Sequence, residues 1–143
     1  MKQTAQRVFL ETLAAIQIPA VLARKLGRTG SVIHAAGAAI DLRGFREIVG
    51  IAFGKASFPM AEALSENLAP EFQVDGILVG PASPPGALAG WKSFVGGHPI
   101  PSAGSFAAGR AILETLQKES SNQGFLVISR RAAAALRAGA GRA

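Results

Sequence analysis

An apolar run that ends in a glycine-lysine turn and continues as an amphipathic run most constrains the fold of this chain. Residues 47–53 read Glu-Ile-Val-Gly-Ile-Ala-Phe, a short apolar segment typical of a buried parallel strand. Residues 54–57 read Gly-Lys-Ala-Ser, and apolar side chains then recur at helical spacing as far as Leu68. The sequence therefore predicts a strand, a tight turn and a helix, the repeating unit of open α/β sheets.

This turn places Gly54 and Lys55 where such sheets bind ligands. The carboxyl end of a strand and the amino end of a helix present free N–H groups that favour anions. Lys55 is therefore a candidate partner for a phosphate or carboxylate. The turn is not a P-loop, because three residues separate Gly50 from Gly54 and Ala56 follows the lysine where Ser or Thr is required. A tight turn followed by an exposed lysine without a ligand explains the same residues.

A second candidate loop precedes a helix predicted over residues 106–119. Residues 96–101 read Gly-Gly-His-Pro-Ile-Pro, and the two prolines restrict the backbone beside His98. Ser102 or Ser105 can cap the helix. A histidine held at a helix amino terminus can donate a hydrogen bond to an anionic substrate. The alternative is a structural histidine that is hydrogen-bonded to the backbone.

The rest of the chain alternates predicted helices and strands. Helices are expected over residues 4–15 and 19–25, a hairpin over 31–42, and strands over 75–79 and 124–129, with a proline- and glycine-rich loop over 81–90. The helix over 106–119 is expected to bury one stripe of residues, with Gly109 allowing close approach to the sheet: Gly109, Ile112, Leu113 and Leu116. The pattern predicts one three-layer, Rossmann-like α/β domain with a mostly parallel sheet.

Composition excludes several classes of protein. Of the 143 residues, 49% are hydrophobic and 17% are charged, which favours one folded domain over disorder. The absence of cysteine excludes disulfides and thiolate metal sites, and no metal-binding residues are assigned. No apolar run has the length of a membrane span, and Glu11 interrupts any signal-peptide core. We therefore expect a cytoplasmic protein with no membrane partner.

The net charge of +6 is concentrated at the end of the chain. Residues 130–143 contain no acidic residue and carry four arginines: Arg130, Arg131, Arg137 and Arg142. The rest of the chain is close to neutral and offers no aromatic platform for bases, so we expect no nucleic-acid partner. A nucleic-acid binder that uses the basic tail remains an alternative.

Several motifs in a fixed order carry a family resemblance. Gly-Lys-Ala-Ser at 54–57 is followed by Pro-Met-Ala-Glu-Ala at 59–63, Gly-His-Pro-Ile-Pro at 97–101, Ser-Phe-Ala-Ala-Gly-Arg at 105–110 and Leu-Val-Ile-Ser at 126–129. Over about residues 4 to 129 the chain resembles the amino-terminal part of the bacterial-type glycerate 2-kinases. The carboxy-terminal domain of that family is called MOFRL, and its members are much longer than this chain.

The resemblance implies phosphoryl transfer that depends on ATP and Mg²⁺. The acceptor would be the 2-hydroxyl of glycerate or a similar hydroxy acid, bound in a cleft between a Rossmann-like domain and a second domain. Lys55 would be catalytic or stabilise phosphate, and Gly54, His98 and Ser105 would bind substrate. Such a reaction needs cations and N–H donors directed at the phosphoryl oxygens, which a lysine at a helix amino end supplies. Ser102 stands where the family usually has an aspartate, which puts an acid, base or metal role there in doubt.

The resemblance ends at Ser129. Family members continue with a glycine-rich loop suited to phosphate, whereas residues 130–143 here form a basic Ala/Arg/Gly tail. We interpret residues 1–129 as an incomplete kinase-like domain, and we hypothesise that residues 130–143 are a tail produced by a frameshift. We therefore expect this chain to lack kinase activity and not to bind ATP and Mg²⁺ productively. A non-catalytic small-anion-binding or interaction module is the alternative function.

Overall fold

A computed structural model of the protein describes residues 2–15, 17–35, 37–117, 123–129 and 135–138. Within these residues the chain forms four α-helices: α1 (Lys2–Ala15), α2 (Ile18–Lys25), α3 (Ser57–Leu68) and α4 (Ala103–Gln117). It also forms eight strands: β1 (Gly27–Thr29), β2 (Val32–Ala35), β3 (Ala38–Asp41), β4 (Glu47–Phe53), β5 (Val74–Gly80), β6 (Trp91–Val95), β7 (Gln123–Ser129) and β8 (Ala135–Ala138). No described helix has the length and apolar character needed to cross a membrane.

The larger sheet has the strand order β6-β5-β4-β7-β8. The first four strands are parallel, and β8 pairs antiparallel with β7 at the edge. Phe53 pairs with Val79 and with Ser129, so the carboxyl ends of the three central strands lie side by side. The predicted α/β fold with a mostly parallel sheet is confirmed.

Helices cover both faces of this sheet. α3 packs on β4 and β5, with Leu64 and Leu68 fully buried against a core that includes Ala52 and Leu78. Strand residues alternate between faces, and Ile77 lies on the other face, where α4 packs against β5 and β6. α2 packs on α3, and its Leu22 and Leu26 extend the core. The three layers expected from the sequence are therefore present.

The indole ring of Trp91 lies across two glycines of neighbouring strands. Gly50 pairs with Gly76, which pairs with Trp91, so the three residues form one row across the sheet. A Cβ atom added at either glycine would overlap the ring. The indole N–H donates to the Ser65 hydroxyl on α3 at 2.9 Å. The two glycines therefore make room for the ring between the sheet and the helix.

The prediction that the leucines of α4 belong to its buried face is wrong. Leu113 is 58% exposed and Leu116 is 42% exposed, whereas Ala108 is buried. Gly109 meets no atom within 4 Å of an added Cβ, and the close approach occurs at Gly104, where a Cβ would overlap the Val95 carbonyl oxygen. Large apolar residues dominate the sequence pattern, but small residues face the sheet because the first turn of α4 lies against the end of β6.

A small antiparallel sheet precedes β4. The hairpin of β2 and β3 was predicted, and β1 adds a third strand where the sequence indicated only the end of a helix. Arg28 on β1 donates to the Asn67 carbonyl and pairs with the Glu71 carboxylate, which fastens this sheet to the end of α3. Asp41 accepts hydrogen bonds from the Arg43 side chain, which holds the pKa of that carboxyl well below its usual range.

The predicted division of the chain at residue 129 stays a prediction. Residues 130–134 and 139–143 of the tail lie outside the described residues. The backbone of residues 135–138 forms β8, in register with residues 124–127 of β7.

Candidate functional site

Two loops that are distant in sequence meet at the carboxyl end of β5. The Gly54 N–H donates to the Val79 carbonyl at 2.9 Å, which fastens the loop after β4 to β5. The Gly96 N–H donates to the Gly80 carbonyl at 2.8 Å, which fastens the loop after β6 to the next residue of the same strand. Both predicted site loops are therefore held by adjacent carbonyl groups of one strand.

These loops enclose a cavity of about 400 Å³, which we call the central cleft. Its lining includes all four predicted site residues, Gly54, Lys55, His98 and Ser105. The remaining lining residues come from the ends of β4 and β5 and from the loop after β6: Phe53, Val79, Gly80, Pro81, Gly96 and Gly97. Lys55 and His98 thus open toward the same side of the sheet, as expected for parallel strands. The roles of the four residues in binding stay predictions.

Gly54 is required by the backbone of the turn. Its φ is +104°, a conformation that residues with a side chain rarely adopt. The Gly54 carbonyl accepts from the Ser57 N–H at 3.1 Å, which closes the turn as α3 begins. An added Cβ at Gly54 meets no atom within 4 Å, so the backbone conformation, and not a lack of space, requires glycine here.

Ser105 holds the histidine loop against α4. Its hydroxyl oxygen accepts from the Gly97 N–H at 2.9 Å and from the Ser102 N–H at 3.1 Å. Ser102 directly precedes α4 and Ser105 is its third residue, so the second bond is one half of a capping box. Ser105 therefore positions the backbone next to His98, whether or not it also contacts a ligand.

Among the described residues, the lining of the central cleft contains a cation and no carboxylate. Lys55 and His98 are both exposed, and neither side chain has a hydrogen-bond partner among the described residues. The described residues therefore do not form the alternative arrangement, in which the His98 ring is hydrogen-bonded to the backbone. They also contain no cluster of three or more His, Cys, Asp or Glu side chains that could hold a metal ion. This arrangement favours an anion, whereas Mg²⁺, which prefers carboxylate and other oxygen ligands, finds no carboxylate here.

A family model described as a domain of unknown function, DUF4147, matches residues 4–141. The chain belongs to the DUF4147 family. Its fold is similar to that of the PH0495 protein from Pyrococcus horikoshii OT3, with a TM-score of 0.74 and 24% sequence identity. That match covers 88% of this chain and 28% of the PH0495 chain. No curated protein matches the sequence.

This DUF4147 chain has another cavity, of about 230 Å³, on the α3 side of Lys55. We call it the side cleft. It shares Lys55, Gly80 and Pro81 with the central cleft. Its other lining residues come from α3, β5, β6 and the proline-rich loop: Ser57, Phe58, Pro59, Leu78, Ala82, Ser83, Pro84, Pro85 and Phe94. No sequence signal predicted this cleft beyond the polar Ser57 after the glycine-lysine turn.

A third groove of about 490 Å³ lies at the opposite, amino ends of the strands. Its charged lining residues are Glu47, Asp75, Lys92 and Glu114. The three carboxylates disfavour an anion there. Lys92 is therefore a useful control for Lys55, because it is an exposed lysine on the same sheet but outside the central cleft.

Proposed function

We propose that this chain supplies one side of the active site of a glycerate 2-kinase, which transfers a phosphoryl group from ATP to the 2-hydroxyl of glycerate. The observation that carries the proposal is the meeting of Lys55 and His98 in one cleft. The DUF4147 family, moreover, is the amino-terminal domain found in glycerate kinase-like proteins. The PH0495 chain is much longer than this one, so the activity proposed belongs to a larger assembly of the same type.

Lys55 would stabilise the negative charge of the phosphoryl group. ATP supplies that group, and its transfer depends on positioning and on electrostatic stabilisation of the equatorial oxygens. Lys55 lies two residues before the first residue of α3, whose amino end adds the positive end of the helix dipole. Both effects would be stronger where bound ligand displaces water from Lys55 than at an open surface.

His98 would contact the carboxylate of the acceptor across the cleft. Its ring is exposed and has no described partner, so either nitrogen that carries a proton is available to donate. The two prolines that follow His98 and the Ser105 bond to Gly97 hold its backbone in place. We assign Mg²⁺ to none of the described residues, because those that line the cleft include no carboxylate ligand.

A non-catalytic module that binds small anions is the second candidate. The described residues of the cleft lining include no carboxylate, which favours this module because none of them can serve as a carboxylate base for the acceptor hydroxyl. The two candidates differ in whether the cleft binds a nucleotide.

The deciding experiment measures the binding of ATP and of glycerate separately by calorimetry. The kinase proposal expects both to bind in the millimolar range, which corresponds to about 4 kcal/mol. Lys55→Ala should weaken both ligands, and Lys92→Ala should weaken neither. Glycerate binding that depends on Lys55, without binding of ATP, would support the anion-binding module instead. Indifference of both ligands to Lys55→Ala would contradict both candidates.

A further inference from the structure

The large apolar residues of α4 lie on the side of the helix that faces away from the sheet. Phe106 is 70% exposed, Leu113 is 58% exposed and Leu116 is 42% exposed. The opposite side of the helix carries small residues, since Ala108 is buried and Ala111 lines the third groove against the sheet. A surface helix normally has the reverse arrangement, with its large apolar residues toward the core. This reversal indicates that another element covers the outer face of α4.

The outer residues of α4 have the spacing of a seam between two helices. Four positions recur at intervals of three, four and three residues, and we call them the α4 stripe: Phe106, Gly109, Leu113 and Leu116. This is the a and d pattern by which one helix packs along another. An added Cβ at Gly109 meets no atom within 4 Å, so the middle of the α4 stripe is open to a partner.

The α4 stripe is complementary to itself. Its intervals read the same in both directions, so two antiparallel copies of α4 place Phe106 of each opposite Leu116 of the other. Leu113 of each copy then lies opposite Gly109 of the other. The leucine side chain would enter the space that the glycine leaves empty, as a knob enters a hole. One helix therefore supplies both halves of a two-fold symmetric contact.

Two charged residues beside the α4 stripe fit the same pairing. Arg110 and Glu114 are both exposed, and neither forms an ion pair with another residue that the structure describes. In the antiparallel pair, the two Arg110 side chains approach each other near the two-fold axis. Glu114 of the second copy lies on the same flank and would neutralise each arginine, which offsets this repulsion.

We propose that α4 is the interface of a symmetric dimer, in which the α4 stripes of two copies of this chain pack antiparallel. The α4 stripe and Ile100, which is 79% exposed in the loop before α4, present about 400 Å² of apolar surface per copy. A standard interface buries about 800 Å² on each partner, so we expect a weak dimer with a dissociation constant of about 10–100 µM. The inference goes beyond the proposed function and does not depend on it.

Sedimentation equilibrium of the whole chain tests the dimer. Between about 5 and about 500 µM, the average mass should rise from that of one chain toward that of two. Leu113→Ser should weaken the association at least about tenfold, because it removes the central apolar contact. Leu10→Ser is the matched control: Leu10 is 54% exposed on α1, outside the α4 stripe, and this change should leave the association unchanged.

Gly109→Leu tests the antiparallel register. The added side chain meets open space within its own chain, but in the dimer it would fill the space that Leu113 of the second copy occupies. We therefore expect it to weaken the association at least about tenfold, whereas a non-specific apolar contact would be strengthened by the larger side chain. Melting temperatures at about 5 µM, where the chain is monomeric, should not fall for Gly109→Leu, because leucine favours a helix more than glycine does.

A charge exchange tests the pairing of Arg110 with Glu114. Arg110→Glu alone should weaken the dimer, because it places two carboxylates side by side, and the double variant Arg110→Glu with Glu114→Arg should restore the association. A chain that stays monomeric up to about 500 µM, or that forms assemblies larger than a dimer, overturns the proposal. Association that is unchanged by Leu113→Ser, or that is strengthened by Gly109→Leu, also overturns it.

Discussion

Replacing Gly76 by alanine should destabilise the protein by forcing Trp91 out of its position. An added Cβ at residue 76 would lie 2.6 and 2.7 Å from two atoms of the indole ring and would overlap the Gly50 carbonyl oxygen. Ordinary contacts begin at 3.4 Å, so the ring would have to retreat by about 0.7 Å. Trp91 is only 8% exposed and is bonded to Ser65, which leaves little room for that movement.

The magnitude follows from three contributions. Overpacking of a buried site costs about 1–3 kcal/mol. Weakening the bond between Trp91 and Ser65 adds about 1 kcal/mol. The lower chain entropy of alanine in the unfolded state offsets about 0.5–1 kcal/mol. We therefore expect Gly76→Ala to lower the free energy of unfolding by about 1–3 kcal/mol.

Urea unfolding measures this effect directly. Far-UV circular dichroism reports the helices and the sheet, and the fluorescence of the single tryptophan reports the environment of the ring. Gly109→Ala is the matched control, because an added Cβ there meets no atom within 4 Å and α4 should gain about 0.5–1 kcal/mol. Equal stabilisation by both variants would refute the argument that the glycine row accommodates Trp91.

Three further predictions concern the central cleft. Gly54→Val should cost about 1–3 kcal/mol of stability because of the positive φ, and Gly86→Val, at a glycine with ordinary φ, should cost less; equal losses in thermal unfolding would contradict this. Ser105→Ala should cost about 1–2 kcal/mol because two backbone N–H groups lose their acceptor, and unchanged stability would contradict it. The 143-residue chain should not turn over glycerate with ATP and Mg²⁺, because phosphoryl transfer needs both substrates held in a closed site. Turnover that Lys55→Ala abolishes would overturn that expectation.

The local sequence pattern was sufficient to predict the structure where one element directly follows the next. The apolar run of β4, the turn at Gly54 and the helical spacing of α3 all lie within one short segment, and the structure confirms each of them. The juxtaposition of Lys55 and His98 also followed from the sequence, because parallel strands place their carboxyl ends at one edge. The resemblance predicted an amino-terminal domain of the glycerate 2-kinase family; the chain belongs to the DUF4147 family, and the glycerate 2-kinase activity stays a prediction.

Features that depend on tertiary contacts could not be predicted from the local sequence pattern. β1 is a strand because Gly27–Thr29 pairs with β2, although its sequence resembles a helix end. The face that α4 presents to the sheet is set by the close approach at Gly104, whereas the pattern of leucines indicates a different face. The side cleft brings together residues of α3, β5, β6 and the proline-rich loop, and no local motif contains all of them.

The most direct test of the central claim is a phosphate titration followed by the backbone amide NMR signals of the whole chain. If the loops of Lys55 and His98 form one anion-binding cleft, the amides of both loops shift together with a single dissociation constant in the millimolar range. Lys55→Ala should abolish these shifts, and Lys92→Ala should leave them unchanged. Shifts confined to one loop, or shifts that survive Lys55→Ala, would contradict the claim that the two loops form one site.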